Sequence, residues 1–401
     1  MLNNEARYKL WRKYVPMLYD VVSTQALKSP TSSIEIIDTS TSNWAEQCDA
    51  DTRLVVFGTY FITSEEQNSL RLASLRIPAP CSFKQEICKE DNANLKVQSI
   101  SLKTVAHEDG VMVARSMPQK STVFASRSVS GVYLYDFSSK TQSSPLKIHP
   151  VTGEGLCWSK SVPGELVLGT TEGELHVLDV DNEQLCLRSP LKKVVGYSSS
   201  VLAVDCHLSD QQQLISGGAD GRVCIWDKRY QIPVLSIPDA HGKDFGVNSV
   251  AFGPADDPQK FLTGIGPGKV FGSSPSPEIP EVKLWDARKF HESVHVFSPP
   301  PGPVYRPDEG NIVYQIRWNP NNSKQFGCSS GDGSVRIWDN NQIGASQNEF
   351  DALDGPPELL FIHSGHTDAV GDFQWDIQYP QTLISVADDS ILMVWRPLIE
   401  L

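Results

Sequence analysis

The chain has 401 residues, 40% of them hydrophobic and 21% charged, which is an ordinary composition for a globular protein. Its formal net charge of −13 argues against direct contact with a phosphate backbone and favours basic partners. The length admits two or three domains but equally suits one large domain built from repeats. Eight cysteines (Cys48, Cys81, Cys88, Cys157, Cys186, Cys206, Cys224 and Cys328) include no C-x-x-C pair. They are expected to be reduced, buried thiols rather than a disulfide frame or a zinc site. Without an N-terminal apolar signal or a long apolar run, the chain is expected to be neither secreted nor membrane-spanning.

Residues 1–30 read as an N-terminal helical segment, with the helix over 4–27. Leu10, Tyr14, Met17, Leu18, Val21 and Val22 recur at spacings of three and four and form one apolar stripe. That stripe is expected to pack on whatever follows. Pro16 removes one backbone donor and predicts a kink or a new first turn, and Pro30 closes the element.

After residue 30 the texture changes to short β-type runs separated by Gly, Ser, Asn and Asp. Ser33–Ile37, Leu54–Tyr60 and Leu70–Ile77 come first. A repeat then emerges, in which a His or Gly start, or the strand from Ile312, leads to a strand ending in Tyr-Asp, Leu-Asp or Trp-Asp, or in Trp395 alone. Its ends fall at Tyr135, Leu178, Trp226, Trp285, Trp338 and Trp395. The steps run somewhat above the roughly 40–45 residues usual for a propeller blade, because loops have grown. Asp220, Asp332 and Asp389 each stand six residues before a blade's Trp. In the last repeat, Asp389, His366, Ser385 and Trp395 are placed to close a buried hydrogen-bond network between strands. These His and Asp residues are therefore expected to be structural.

Six clear units and the weaker strands at 54–77 predict an all-β, seven-bladed WD40 propeller over 31–401. A propeller closes when an N-terminal strand completes the last blade, and Ser33–Ile37 is the expected closing strand. The helix then lands on the side of blade seven, beside an acidic, proline-stiffened loop at 351–362, which contains DGPPELLF. Residues 269–281 and 298–310, rich in Pro and Ser or Gly, are expected to be surface loops. The sequence offers no nucleophile elbow, phosphate loop or metal-spaced cluster, so no enzymatic activity, cofactor or metal is expected.

Several segments together carry a resemblance: Tyr8–Lys13 (YKLWRK), Pro16–Asp20 (PMLYD) and Asp354–His363 (DGPPELLFIH), with weaker support from Ala114–Gln119, Asp286–Lys289 and Gln342–Gly344. They make the chain similar to the histone-binding WD-repeat family, the retinoblastoma-associated chromatin proteins that include the small subunit of chromatin assembly factor 1. The resemblance implies a nuclear subunit of chromatin complexes. It also implies a groove between the N-terminal helix and the Pro-Pro loop that grips the first helix of histone H4. Leu18, Val22, Leu360, Phe361 and Ile362 would supply apolar surface, and Asp351, Asp354 and Glu358 an acidic rim. Pro356 and Pro357 would stiffen the loop and reduce the entropy lost on binding. Leu353 stands where the family usually has a glutamate, which predicts a weaker charge clamp.

The family's second site, on the narrow propeller face, holds a basic segment such as the histone H3 tail. Of its polar positions Asn248, Tyr314 and Asp388 remain, whereas Gly110, Met112, Thr152, Leu202 and Ile312 carry no acid or amide. H3-tail binding is therefore expected to be lost, weakened or retuned. The other reading of the chain is a generic WD scaffold, or a ubiquitin-ligase substrate receptor, that binds some other helix. The pairing of Pro16–Val22 with Asp351–Ile362 separates the two.

Overall fold

The computed structural model describes residues 4–37, 51–60, 67–79, 99–138, 145–149, 153–180, 192–195, 197–230, 232–268, 279, 281–300, 311–349 and 351–398. Helix α1 (Asn4–Leu18) leads directly into strand β1 (Tyr19–Ala26). The remaining strands follow in seven sets. The first holds β2 (Ile34–Ile37), β3 (Thr52–Gly58), β4 (Ser69–Arg76) and β5 (Ser99–Ala106). The second holds β6 (Val111–Met117), β7 (Lys120–Ser128), β8 (Gly131–Asp136) and β9 (Leu146–His149). The third holds β10 (Gly153–Trp158), β11 (Glu165–Thr170), β12 (Glu174–Asp179) and β13 (Lys192–Val195). The fourth holds β14 (Val201–Cys206), β15 (Gln213–Gly218), β16 (Val223–Asp227) and β17 (Leu235–Ile237). The fifth holds β18 (Phe245–Phe252), β19 (Lys260–Gly268), β20 (Val282–Asp286) and β21 (His295–Phe297). The sixth holds β22 (Val313–Asn319), β23 (Asn322–Ser330), β24 (Val335–Asp339) and β25 (Leu359–His363). The last holds β26 (Val370–Trp375), β27 (Leu383–Ala387) and β28 (Ile391–Pro397), completed by β1 in the order β1-β28-β27-β26. Seven four-stranded sheets make this a seven-bladed β-propeller.

Two expectations need correction. The helix does not run to residue 27: it ends at Leu18, and Tyr19–Ala26 is a strand with Tyr19, Val21 and Ser23 turned inward. This strand, not Ser33–Ile37, completes blade seven, pairing Tyr19 with Pro397, Val22 with Trp395 and Ala26 with Ile391. Ile34–Ile37 instead begins the first sheet, with Ile34 opposite Phe57 and Ile37 opposite Leu54.

The chain divides into two compact units, one of Met1–Ala114, Gly302–Val304 and Asn319–Leu401, the other of Arg115–Pro301 and Tyr305–Trp318. Within the first, β2 has no backbone partner on one side, and side chains of β26 satisfy it there. Ile34 N–H donates to Asp372 Oδ2 at 3.1 Å, and Ile36 N–H donates to Gln374 Oε1. Ile34, Val55 and Leu75 pack with Ile384, Val386 and Leu392 in one core, and Arg53 pairs with Asp376 at 2.8 Å with both side chains buried. Burying a β-strand's donors costs stability unless they are met, so these carboxylate and amide acceptors are part of the closure. The second unit uses the same device: Phe252 N–H donates to Asp205 Oδ2 at 2.9 Å, and Ile316 N–H to Ser249 Oγ at 3.0 Å.

Blade seven carries the network expected from its sequence. His366 Nδ1 meets Asp389 at 3.2 Å, its Nε2 meets Ser385 Oγ at 2.8 Å, and Trp395 Nε1 donates to Ser385 Oγ at 3.1 Å. Burial pushes the Asp389 carboxyl up. His366 and the backbone N–H groups of Thr367 and Ile391 outweigh it and hold the group below the usual carboxylate range. Blade five repeats the logic with His241, Thr263 and Trp285. Cys206, Cys224 and Cys328 are buried free thiols and Cys157 is half-buried; Cys48, Cys81, Cys88 and Cys186 lie outside the described residues. So do most of the expected loops at 269–281 and 298–310.

Candidate docking site

Helix α1 has two apolar faces. Tyr8, Trp11 and Val15 turn inward and pack, with Tyr19 beyond them, on a core that includes Phe361, Val370, Met393 and Trp395. Leu10, Tyr14, Met17 and Leu18 turn outward: three are 43% exposed and Met17 is 72% exposed. The helical part of the stripe expected to be covered is therefore left open, whereas its last two members, Val21 and Val22, lie on β1 and are buried and half-buried. Pro16 is accommodated inside the last turn of the helix.

The inner face is held by an aromatic relay. Trp11 Nε1 donates to Tyr19 Oη at 3.0 Å, and Tyr19 Oη shares a 2.9 Å hydrogen bond with His363 Nδ1. Tyr19 meets the Phe361 ring edge-on at 5.2 Å, and Trp11 meets His363 edge-on at 5.8 Å. Burial pushes the Tyr19 phenol above its ordinary value. Burial also holds the His363 imidazole well below its own, with nearby His366 adding to the effect. Gly365 lets α1 approach, because a Cβ there would sit 2.8 Å from the Trp11 ring. At the helix end Leu398 N–H donates to the Leu18 carbonyl at 2.9 Å.

The acidic loop begins as the single turn α2 (Asp351–Asp354). Asn348 Oδ1 accepts from Asp351 N–H at 2.8 Å, and Gln347 Nε2 donates to the Gly355 carbonyl at 3.2 Å. Gly355 takes φ 140°, a conformation that side chains disfavour. Pro356 and Pro357 follow, half-buried, and Leu359 N–H closes a turn on the Pro356 carbonyl at 3.0 Å. Asp351, Leu353 and Asp354 are exposed, whereas Leu360 and Ile362 are half-buried.

The structure brings Trp11, Tyr19, Val22, Leu360 and Phe361 into one cluster, with Leu18 exposed at the end of the helix. Two expected contact residues are elsewhere. Phe361 is only 8% exposed, because alternation along β25 turns it and His363 into the core. Glu358 is 5% exposed, inside the loop rather than on its rim. Trp11, Tyr19, His363 and Gly365 form the support; the first three lie in segments that carry the resemblance, but the sequence assigns none of the four a supporting role. Their aromatic and glycine character was visible there, but their contacts are not local.

Of the residues expected to hold a basic tail, Asn248 Nδ2 donates to the Val313 carbonyl at 3.0 Å, and Tyr314 is partly exposed on β22. Both belong to the second unit. Asp388, in the first, accepts from Tyr60 Oη; burial, Asp368 and Asp389 raise its carboxyl above the ordinary range.

Residues 6–79, which span α1 and β1–β4, match the family model of histone-binding protein RBBP4 or the corresponding component of the CAF1 complex. Residues 188–227 and 303–339 match the WD domain, G-beta repeat. The chain thus resembles this WD-repeat family in its N-terminal segment and in two of its repeats. Two relatives, from Candida glabrata and Eremothecium gossypii, are 25% and 26% identical and are both called histone acetyltransferase type B subunit 2. Each comparison covers 98% of this chain, with 88% and 86% of the respective relative. The histone-binding family match thus falls on the segment that builds both the open stripe and the closing strand.

Proposed function

We propose that this protein is a histone-binding subunit of a chromatin assembly or modifying complex, without chemistry of its own, working in the nucleus. Its docking site receives the first helix of histone H4 between α1 and the 351–362 loop. The observation that carries this reading is the outward stripe Leu10, Tyr14, Met17 and Leu18. A helix already anchored through Trp11 gains nothing from a second apolar face left in water unless something covers it. The family match over 6–79 and the names of the two relatives support a histone partner.

In this reading the partner helix lays its apolar side on the stripe and on Leu18, Val22, Leu360 and Ile362. Its Lys and Arg side chains then meet Asp351 and Asp354 at the rim. Phe361 holds β25 from beneath, Glu358 braces the loop, and Pro356 and Pro357 keep the loop in its bound shape. The central apolar contacts each contribute roughly 2 kcal/mol or more, and the rim charges mainly set association rate and salt dependence. We also propose that H3-tail binding is weakened: Asn248 is already engaged with the Val313 carbonyl, and Asp388, taken by itself, is held by the Tyr60 hydroxyl.

Calorimetric titration with a peptide spanning the first H4 helix tests the proposal. Wild type is expected to bind, and Met17→Ala with Leu18→Ala is expected to weaken binding by about a hundredfold. No binding, or binding that the double change leaves intact, would favour a generic scaffold that recognises another helix.

A further inference from the structure

Helix α1 carries charge as well as apolar surface, and the charge is of one sign. Between Ala6 and Leu18 it holds four cations, Arg7, Lys9, Arg12 and Lys13, and no acid, on a chain whose net charge is −13. Lys9, Arg12 and Lys13 are exposed. Arg7 is half-buried, with its guanidinium on the Asp332 carbonyl at 3.4 Å. The last turn, where the helix dipole favours a cation, has none. Lys9 and Lys13 instead stand four residues apart, a spacing at which like charges repel and weaken a helix. The stability of α1 itself does not account for this placement.

Helical geometry sets where the charges lie. At about 100° per residue, the open stripe of Leu10, Tyr14, Met17 and Leu18 has one border toward the buried side, where Arg7 lies, and one border away from it. Lys13 occupies the outer border, three residues after Leu10 and four before Met17, and Lys9 lies one turn earlier. Lys13 Nζ is 5.9 Å from the Tyr14 ring centroid, which keeps the ammonium at the edge of the stripe. On the side of the loop the sign is opposite. Asp351 and Asp354 are exposed on α2, and Asp351 Oδ2 accepts from Asn348 Nδ2 at 2.6 Å, which fixes the carboxylate without neutralising it.

We infer that the docking site has two edges of opposite charge, Lys9 and Lys13 on α1 and Asp351 and Asp354 on α2, and that it selects a partner helix whose cations are confined to one flank. This rests on the docking of a helix between α1 and the loop proposed above. The two lysines repel a cation on the near flank of that helix and attract a carboxylate there; the two aspartates do the reverse on the far flank. A helix with mixed flanks meets like charge on both sides whichever way it lies. A helix with segregated flanks meets opposite charge on both sides in one direction only, so the edges also fix the direction in which the partner runs.

The probes are two end-blocked helical peptides of identical composition and identical apolar face. One carries all its lysines on one flank and all its glutamates on the other; the second mixes them on both flanks. In fluorescence anisotropy with the full chain at low salt, the segregated peptide is expected to bind at least about tenfold more tightly. In about 1 M salt, where the screening length falls to about 3 Å, that preference is expected to disappear. Lys9→Glu with Lys13→Glu is expected to abolish the preference while the mixed peptide binds as it does to wild type, which also reports that the variant is folded. Equal affinities in wild type at low salt, no binding of either probe, a preference that salt leaves intact, or one that the double variant retains overturns the inference. If wild type also fails to bind the H4 helix peptide, the proposed docking falls with it; if that peptide binds and the two probes are not distinguished, only the charged edges are refuted.

Discussion

His363 and Trp395 lie face to face, their ring centroids 4.3 Å apart and their planes within 3°. The stack ties β25 of blade six to β28 of blade seven under α1 and leaves the imidazole no room to be hydrated. Burial, followed by the charge of neighbouring His366, keeps its pKa well below the ordinary histidine value.

Acid sensitivity follows. Below about pH 6.5 the unfolded chain binds a proton at this position and the native protein does not. The stability that the neutral ring supplies is complete above that pH and is lost as pH falls toward the folded value, by about 1.4 kcal/mol per unit. Buried His241, whose pKa is also lowered, adds in the same direction. His363→Gln keeps an acceptor for Tyr19 and cannot titrate there. Urea unfolding of this variant is expected to show a shallower decline below about pH 6.5. Slopes identical to wild type would contradict a neutral imidazole.

Gly365→Ala tests how α1 is seated. The added methyl group would meet Trp11, His363 and Met393 within 3.0 Å, so the helix must shift. The expected cost is about 1–3 kcal/mol, with faster amide exchange confined to residues 6–18 and weaker H4-peptide binding. Unchanged exchange in α1 would show that the ring can move aside without cost.

Phe361→Ala and Met17→Ala should separate support from contact. Phe361 is core, so its truncation is expected to destabilise the protein by about 3–5 kcal/mol and to impair binding only through the fold. Met17 is mostly exposed, so its truncation should change stability by less than about 0.5 kcal/mol while reducing affinity. Thermal melts and titrations on both variants decide the assignment, and the reverse pattern would exclude it.

Arg53→Met removes one partner of the buried pair that joins the first blade to the seventh. Asp376 then remains buried without its cation, and unfolding is expected to become easier by about 3–5 kcal/mol. Arg53→Met with Asp376→Leu should recover much of that loss. A double variant as weak as the single would mean that the pair's geometry, rather than an orphaned charge, sets the cost.

The propeller was legible because its signals are local. The Trp-Asp ends and the Asp six residues earlier lie within one hairpin, and the His366–Ser385–Trp395 network fits inside one blade. The chain's start was harder to read. Val21 and Val22 extend the helical spacing of Leu18, yet Tyr19–Ala26 also alternates. What decides between the two is β28, a partner on the far side of the sequence. Periodicity found an apolar stripe on α1 but could not say that a second one, Tyr8, Trp11 and Val15, would take the core. Phe361 and Glu358 were misplaced for a similar reason, since a loop motif identifies residue types but not which of them the following strand turns inward.

Strand β1 acts as a clasp whose two halves are made at opposite times. Val22 cannot find Trp395 until the hundreds of residues between them have left the ribosome, so the early segment waits for its partner through that stretch of synthesis. During that wait the inner side of the strand and the open side of the helix are both sticky. The nascent chain is therefore most prone to aggregate just before closure, when an early-binding partner or a chaperone would protect it most.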